Sequence, residues 1–118
     1  MIGNLLAMQN QFRVFHWQTN SYAQHKAFGK AYEALDLLID NFVEVYQGKK
    51  GIQITSSGLK IKLENLDSKP EDMLDVFIEF LRDELCKDLD EKEDSDLCNI
   101  RDEMMAVLNQ TKYLLLLK

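Results

Sequence analysis

The residues of this chain with the clearest potential for chemistry are two histidines and a pair of carboxylates further along. His16 and His25 are the only histidines among the 118 residues, and Asp40 and Glu44 follow them, four positions apart. Transition metals such as iron and zinc bind imidazole and carboxylate ligands together. The pattern predicts a metal site. The alternative is that the histidines are ordinary helix-end residues and the carboxylates are solvated surface charge.

Hydrophobic spacing predicts four helices that must position these side chains. Cap-type residues Asn20 and Ser21 precede the second helix, and Gly48 is a natural stop for it. The segment Ser68-Lys69-Pro70-Glu71 has the pattern of a capping box with an early proline, which predicts the start of the third. The predicted helices cover residues 2–17, Tyr22 to Gly48, Pro70 to about Leu89, and Leu97 to the C-terminus.

The connection between the second and third helices has a different pattern. Over residues 51–67, apolar and polar residues alternate on both sides of Ser56-Ser57-Gly58, which predicts a strand or a short β-hairpin. About 20 extended residues can run the length of the second helix. We therefore predict a single all-α domain over residues 1–118, a ferritin-like four-helix bundle with one long crossover. An up-and-down bundle with an ornamented loop is the alternative.

The second helix cannot close the metal site within one chain. On a helical wheel His25, Asp36 and Asp40 lie within about 60° of one another, and Glu44 lies about 40° further round. However, 15 residues separate His25 from Asp40, which is about 22 Å along the axis. Two second helices packed antiparallel about a twofold axis would bring His25 of one chain to Asp40 and Glu44 of the other. His16 would arrive from the neighbouring helix end, so we predict at least a dimer.

At these residues the chain resembles the Dps family of mini-ferritins. The resemblance covers about residues 5–48 and rests on His16-Trp17, on His25 and on Asp40-x-x-x-Glu44. It implies a ferroxidase centre shared across a dimer interface, with iron, or another divalent metal, held by the two histidines and the two carboxylates. The chain's small size is similar to that of compact ferritin-like chains encoded by phages and large DNA viruses.

Two functions of different classes follow. The first is a Dps-like iron-binding protein that oxidises Fe(II), in which Asp36 would lie in the outer shell. Trp17 would pack against the site or donate electrons. The second is a non-catalytic helical dimer that acts as a structural or interaction module. Its support is the short chain and the predicted hairpin, whose edge could pair with another strand.

Composition narrows the range of partners and compartments. Apolar residues make up 46% of the chain, charged residues 29%, and the net charge is −6. DNA is not a predicted partner, because an acidic chain lacks the clustered basic surface that phosphate binding needs. The longest apolar run, Leu114 to Leu117, is too short for a membrane span, and no secretory signal is evident, so we predict the cytoplasm, of a host cell if the chain is viral. Cys86 and Cys98 lack a metal-binding spacing, and we predict buried thiols without a functional role.

Overall fold

Residues 1–66 and 69–117 are described by a computed structural model, in which four α-helices account for most of the chain. The four predicted helices are therefore confirmed, and the described ranges contain no strand. The ferritin-like arrangement of these helices stays a prediction. The helices are α1 (Ile2–Gln18), α2 (Tyr22–Lys50), α3 (Pro70–Phe80) and α4 (Ser95–Leu114), and a π-helical segment, Leu81–Leu85, continues α3.

The core is built from one apolar stripe on each helix. Phe12 of α1 is fully buried, and its ring contacts Phe15, Phe28 of α2 and Phe77 of α3, with ring centroids 5.6 to 6.4 Å apart. Burial of such stripes is what holds short helices in place, since isolated helices of this length are marginal in water. Phe28 is also fully buried, and the other large, fully buried apolar side chains are Leu5, Met8, Leu35, Phe42, Leu74, Leu81, Leu97, Met104 and Leu108.

The start of α2 was predicted correctly and its end was not. Ser21 is the N-cap residue, and its hydroxyl accepts a hydrogen bond of 3.2 Å from the backbone N–H of Gln24. The helix continues through Gly48 and ends at Gly51, which has the left-handed φ of 65°. Lys49 and Lys50 extend the last turn, where cations oppose the negative end of the helix dipole, and both reach the carboxylate of Asp94.

The hairpin predicted in the crossover is not seen in residues 51–66, the part of the predicted range that the structure describes. The segment turns at Ser56 to Leu59, but its backbone is bonded by glutamine side chains of the helices. The buried Gln11 amide donates to the carbonyl of Glu64 and accepts from its N–H, both at 2.7 Å. Gln47 accepts from the N–H of Ile54 at 2.8 Å. The alternating pattern therefore reflects an extended chain lying on a bundle, without a second strand beside it.

The capping box predicted at the start of α3 lies partly outside the described residues, because it includes Ser68. Among the described residues, Lys69 occupies the N-cap position and makes no side-chain capping bond, and Pro70 is the first helical residue. Proline suits this position because its missing N–H would have no partner in the first turn.

The acidic turn before α4 contains one buried carboxylate. Asp94 is only 5% exposed, and its carboxylate accepts a hydrogen bond of 2.9 Å from the backbone N–H of Asp90. Lys50 lies 3.4 Å from both of its oxygens. This turn therefore fixes the start of α4 against the end of α2.

Asp94 should make the stability of the protein depend on acid pH. The backbone bond from Asp90, followed by Lys50 and Lys49, holds the pKa of Asp94 below its ordinary value of 3.8. A carboxylate whose pKa is lower in the folded state stabilises the fold above its unfolded pKa, and this contribution is lost as the pH falls through the folded pKa. We expect wild type to melt higher than Asp94→Asn at pH 7, and the difference to shrink below about pH 4 in thermal melts. A difference that stays constant down to about pH 2 would contradict this assignment.

Candidate functional site

The two histidines meet at the junction between α1 and α2. A turn of three residues joins the helices, and the rings of His16 and His25 stack with centroids 3.7 Å apart and planes 18° from parallel. Nδ1 of His16 lies 2.7 Å from the carbonyl of His25, and Nδ1 of His25 lies 2.9 Å from the carbonyl of His16. A carbonyl only accepts, so each Nδ1 carries a proton and donates it. In the neutral rings both Nε2 atoms therefore keep a free lone pair.

This reciprocal pair also has a structural role. The carbonyl of His16 is among the last four of α1, which have no partner within their own helix. His25 satisfies it, while His16 fastens its ring to the first turn of α2. The pair therefore joins the two helix ends, as the helix-end interpretation of the sequence proposed. Such a role does not exclude metal binding, because it occupies only one nitrogen of each ring.

Gly29 makes room for the ring of His16, which sequence reasoning missed. A Cβ at Gly29 would lie 3.0 Å from both Cε1 and Nδ1 of His16. This approach is tighter than nine in ten real Cβ contacts, so a side chain at this position would push the ring of His16 away by a few tenths of an ångström. A glycine in mid-helix, one turn after a histidine, was the available signal, since such a residue weakens a helix unless packing demands it.

Alanine at the two glycines inside α2 should have opposite effects. Gly29→Ala should displace His16 from its stack and destabilise the fold by about 1–3 kcal/mol, the usual cost of overpacking. Gly48→Ala meets nothing within 4 Å, so it should stabilise the fold by about 0.5–1 kcal/mol through the better helix propensity of alanine. Urea unfolding of both variants measures the difference. Equal effects would show that the His16 ring does not constrain Gly29.

A cavity of about 580 Å³ opens beside the histidine pair. Two lysines and one glutamate line it together with two leucines from the end of α4, so its charge is slightly positive. The lone pair of each Nε2 lies in the plane of its ring, and because the two planes are only 18° from parallel, the lone pairs do not converge on one point. A cation here would therefore bind to one ring, and beyond Glu33 it would need carboxylates from elsewhere. The lining residues are His16, Ala23, His25, Lys26, Ala27, Gly29, Lys30, Glu33, Leu114 and Leu117.

The three predicted carboxylates lie along α2, away from this cavity. Asp40 and Glu44 are exposed, and in the described part of the chain neither makes an ion pair or a side-chain hydrogen bond. Asp36 accepts a hydrogen bond of 2.7 Å from the amide of Gln9. No group of three or more potential metal ligands gathers anywhere in residues 1–66 and 69–117. One chain therefore brings the histidines together but not the histidines and the carboxylates.

The exposed side of α2 carries charges of both signs. Lys26 and Lys30 are exposed in its N-terminal half together with Glu33, and Asp40 and Glu44 are exposed in its C-terminal half, before Lys49 and Lys50 at its end. Between Lys30 and Asp40, Leu37 is 73% exposed. Two such helices packed antiparallel would place Lys26 and Lys30 of one chain near Asp40 and Glu44 of the other.

No described helix is long and apolar enough to cross a membrane.

Trp17 does not belong to the core. Its side chain is 68% exposed, and Tyr22, at the start of α2, is 73% exposed. Together with Leu37 they leave apolar surface uncovered along α2 and at its junction with α1. The predicted packing of Trp17 against a metal site stays a prediction.

Comparison with known proteins corrects the resemblance stated above. An uncharacterised 14.6 kDa protein from the mobD-ri intergenic region of Enterobacteria phage T4 is 43% identical over 56 residues, which are 48% of this chain and 44% of that protein. This chain thus aligns with less than half of its relative's length. No solved structure matches.

The prediction of a Dps-like mini-ferritin was wrong, because the family model that matches residues 16–115 is a different one, and no ferritin-like family matches. The resemblance rested on only five side chains within one helical hairpin. The matched region covers most of the sequence. The chain belongs to the family of unknown function DUF5856.

Proposed function

We propose that this protein is a homodimer that binds a divalent transition metal at sites shared between its subunits. In each site His25, with His16 beside it, would face Asp40 and Glu44 of the partner subunit. The observation that supports this most is the anchoring of both rings through Nδ1 to backbone carbonyls. Histidines that bind metals usually donate their other ring N–H in this way, which fixes the tautomer and presents Nε2 to the ion.

The outer face of α2 supplies the proposed dimer contact. If His25 faces the middle of the segment from Asp40 to Glu44, the twofold axis passes near residues 33 and 34. Leu37 of one chain then lies against the aliphatic stem of Lys30 of the partner subunit. This contact would cover the exposed side chain of Leu37. Because the contact is antiparallel, it also brings Lys26 and Lys30 of one chain towards Asp40 and Glu44 of the partner subunit.

The metal is proposed from the ligand chemistry. A set of imidazole and carboxylate donors binds Fe(II) and Zn(II) better than it binds calcium or magnesium. The latter two are hard ions that prefer oxygen ligands alone. With Fe(II) bound, the activity would be its oxidation by dioxygen or peroxide. The T4 relative supports a phage origin, and the proposed place of action is then the host cytoplasm.

A second candidate is a dimer without metal, acting as an interaction module. Two observations favour it: Trp17, Tyr22 and Leu37 are exposed apolar side chains, and Lys26 and Lys30 lie beside the histidines. In an antiparallel dimer these lysines could pair with Asp40 and Glu44 and take the place of a cation. Metal binding and lysine pairing thus compete for the same carboxylates.

Mass in solution with and without metal tests both candidates. We would measure light scattering of the purified chain at micromolar concentration under anaerobic conditions, alone and with Fe(II) or Co(II), whose visible spectrum reports imidazole ligands. The shared site predicts a dimer with one ion per chain. A dimer that binds no ion would favour the interaction module. A strict monomer under both conditions would refute both.

A further inference from the structure

The end of α3 and the start of α4 run antiparallel in a defined register. Arg101 of α4 donates from Nη1 to the carbonyl of Leu81, at 3.1 Å, in the first turn of the π segment. Cys98 lies one helical turn before Arg101 in α4. Cys86 comes directly after the last residue of the π segment, which is about one π-helical turn after Leu81. The register therefore places Cys98 opposite Cys86, where the π segment packs against α4, and both side chains are half-buried there.

Both thiols are free, half-buried and the only cysteines of the chain. Cys86 packs against the hydrophobic core at the end of the π segment. Burial, with a smaller contribution from Cys98, raises the pKa of Cys86 to about 11. Cys86 is therefore a protonated thiol at neutral pH and a poor nucleophile by itself. Since the sequence contains no third cysteine, neither thiol has a competing thiol partner within the chain.

We propose that Cys86 and Cys98 form a reversible disulfide site that links the end of the π segment to the first turn of α4. The bond would close a loop of 13 residues, from 86 to 98. This loop contains the turn in which Asp94 binds Lys50, so the bond would hold together the end of the bundle opposite the histidine pair. The inference does not depend on metal binding, since it uses neither the same residues nor the same end of the molecule.

The oxidant is a peroxide or a small disulfide, and the electron balance with hydrogen peroxide is simple. The thiolate of Cys98 attacks one peroxide oxygen, which forms a sulfenic acid and releases the first water after protonation. The sulfur of Cys86 then attacks the Cys98 sulfur, its proton leaves with the displaced hydroxide, and the second water forms. Two thiols lose two electrons and two protons to become a disulfide, and one peroxide becomes two waters. Because Cys86 must ionise for the second step, closure should accelerate as the pH rises.

The test treats the full chain with hydrogen peroxide and follows free thiols, intact mass and melting temperature. We expect both thiols to disappear together, the monomer to lose the mass of two hydrogen atoms, and dithiothreitol to restore both. Closing a loop of this size should raise the melting temperature by about 10 °C. Peptide mapping under non-reducing conditions should recover Cys86 linked to Cys98.

Single serine variants serve as matched controls. In Cys86→Ser, peroxide should convert Cys98 to a sulfenic acid or a chain-to-chain disulfide, whereas in Cys98→Ser the remaining Cys86, whose pKa burial raises to about 11, should react slowly. Neither variant should gain melting temperature on oxidation. The proposal is overturned if wild type instead forms disulfide-linked dimers, if its thiols are lost one at a time to sulfinic acid, or if the linked form melts no higher than the reduced form.

Discussion

Replacing Asp40 by Asn and Glu44 by Gln in the same chain is expected to abolish metal binding while leaving the fold intact. Both side chains are exposed and make no ion pair in the described part of the chain, so their loss should change stability by only about ±0.5 kcal/mol. The same change removes the anionic ligands of both proposed sites. Removing a residue that only hydrogen-bonds to a metal ligand typically lowers metal affinity about 10–100-fold. Removing the ligands themselves should therefore lower it by more than about 100-fold. Isothermal titration with Co(II) and anaerobic Fe(II) oxidation assays measure it.

A matched control exists on α3. Asp75 and Glu79 have the same spacing and are also exposed, and Asp75 pairs with Lys112 at the surface. Asp75→Asn with Glu79→Gln removes the same charge without touching α2, so affinity for the metal should not change. If both double variants bind metal like wild type, Asp40 and Glu44 are surface charge and the shared site is wrong. If both lose affinity equally, the effect is one of net charge alone.

The dimer gives this variant a second readout. Under the interaction module, Lys26 and Lys30 hold Asp40 and Glu44 across the interface, so the double variant should weaken the dimer whether or not metal is added. Under the shared site, wild type should dimerise more tightly with metal than without it, and this difference should vanish in the variant. Sedimentation equilibrium of both proteins, with and without Co(II), separates the two functions.

Phe12→Ala should have the largest effect on stability of any change we propose. The ring is fully buried and contacts aromatic rings of α1, α2 and α3. Truncating a buried phenylalanine costs about 3–5 kcal/mol, through lost transfer energy and the cavity left behind. Small domains have only about 5–15 kcal/mol in total, so the melting temperature should fall by more than about 10 °C. Urea unfolding followed by circular dichroism gives the free energy.

Trp17→Ala is the control for Phe12→Ala, because it truncates a larger aromatic ring that is 68% exposed. Its effect on the free energy of unfolding should stay within about 0.5 kcal/mol. If Trp17→Ala destabilises the protein as much as Phe12→Ala, then Trp17 is covered in solution. The dimer interface would be the first place to look for what covers it.

The sequence determined the helices, because the signals that produce them are local. Apolar residues at steps of three and four appear in the chain itself, and so does the capping hydroxyl of Ser21. The rise of a helix also shows that His25 and Asp40 are too far apart in one chain to share a metal ion. A metal site that uses both residues therefore needs a second chain, and this follows from the sequence alone. The conformation of the crossover between α2 and α3 followed only in part. Alternating apolar and polar residues predict an extended chain, but they do not show whether another strand pairs with it.

Only the tertiary structure decided what lies beside what. The stack of His16 on His25 depends on the angle of a three-residue turn, and on the absence of a side chain at Gly29. The approach of Cys86 to Cys98 depends on the register between two antiparallel segments, which spacing along the chain does not fix. Helix formation is set within a few residues, whereas these pairs depend on how the helices pack. For that reason sequence reasoning identified the chemical groups of the histidine site but passed over the thiol pair.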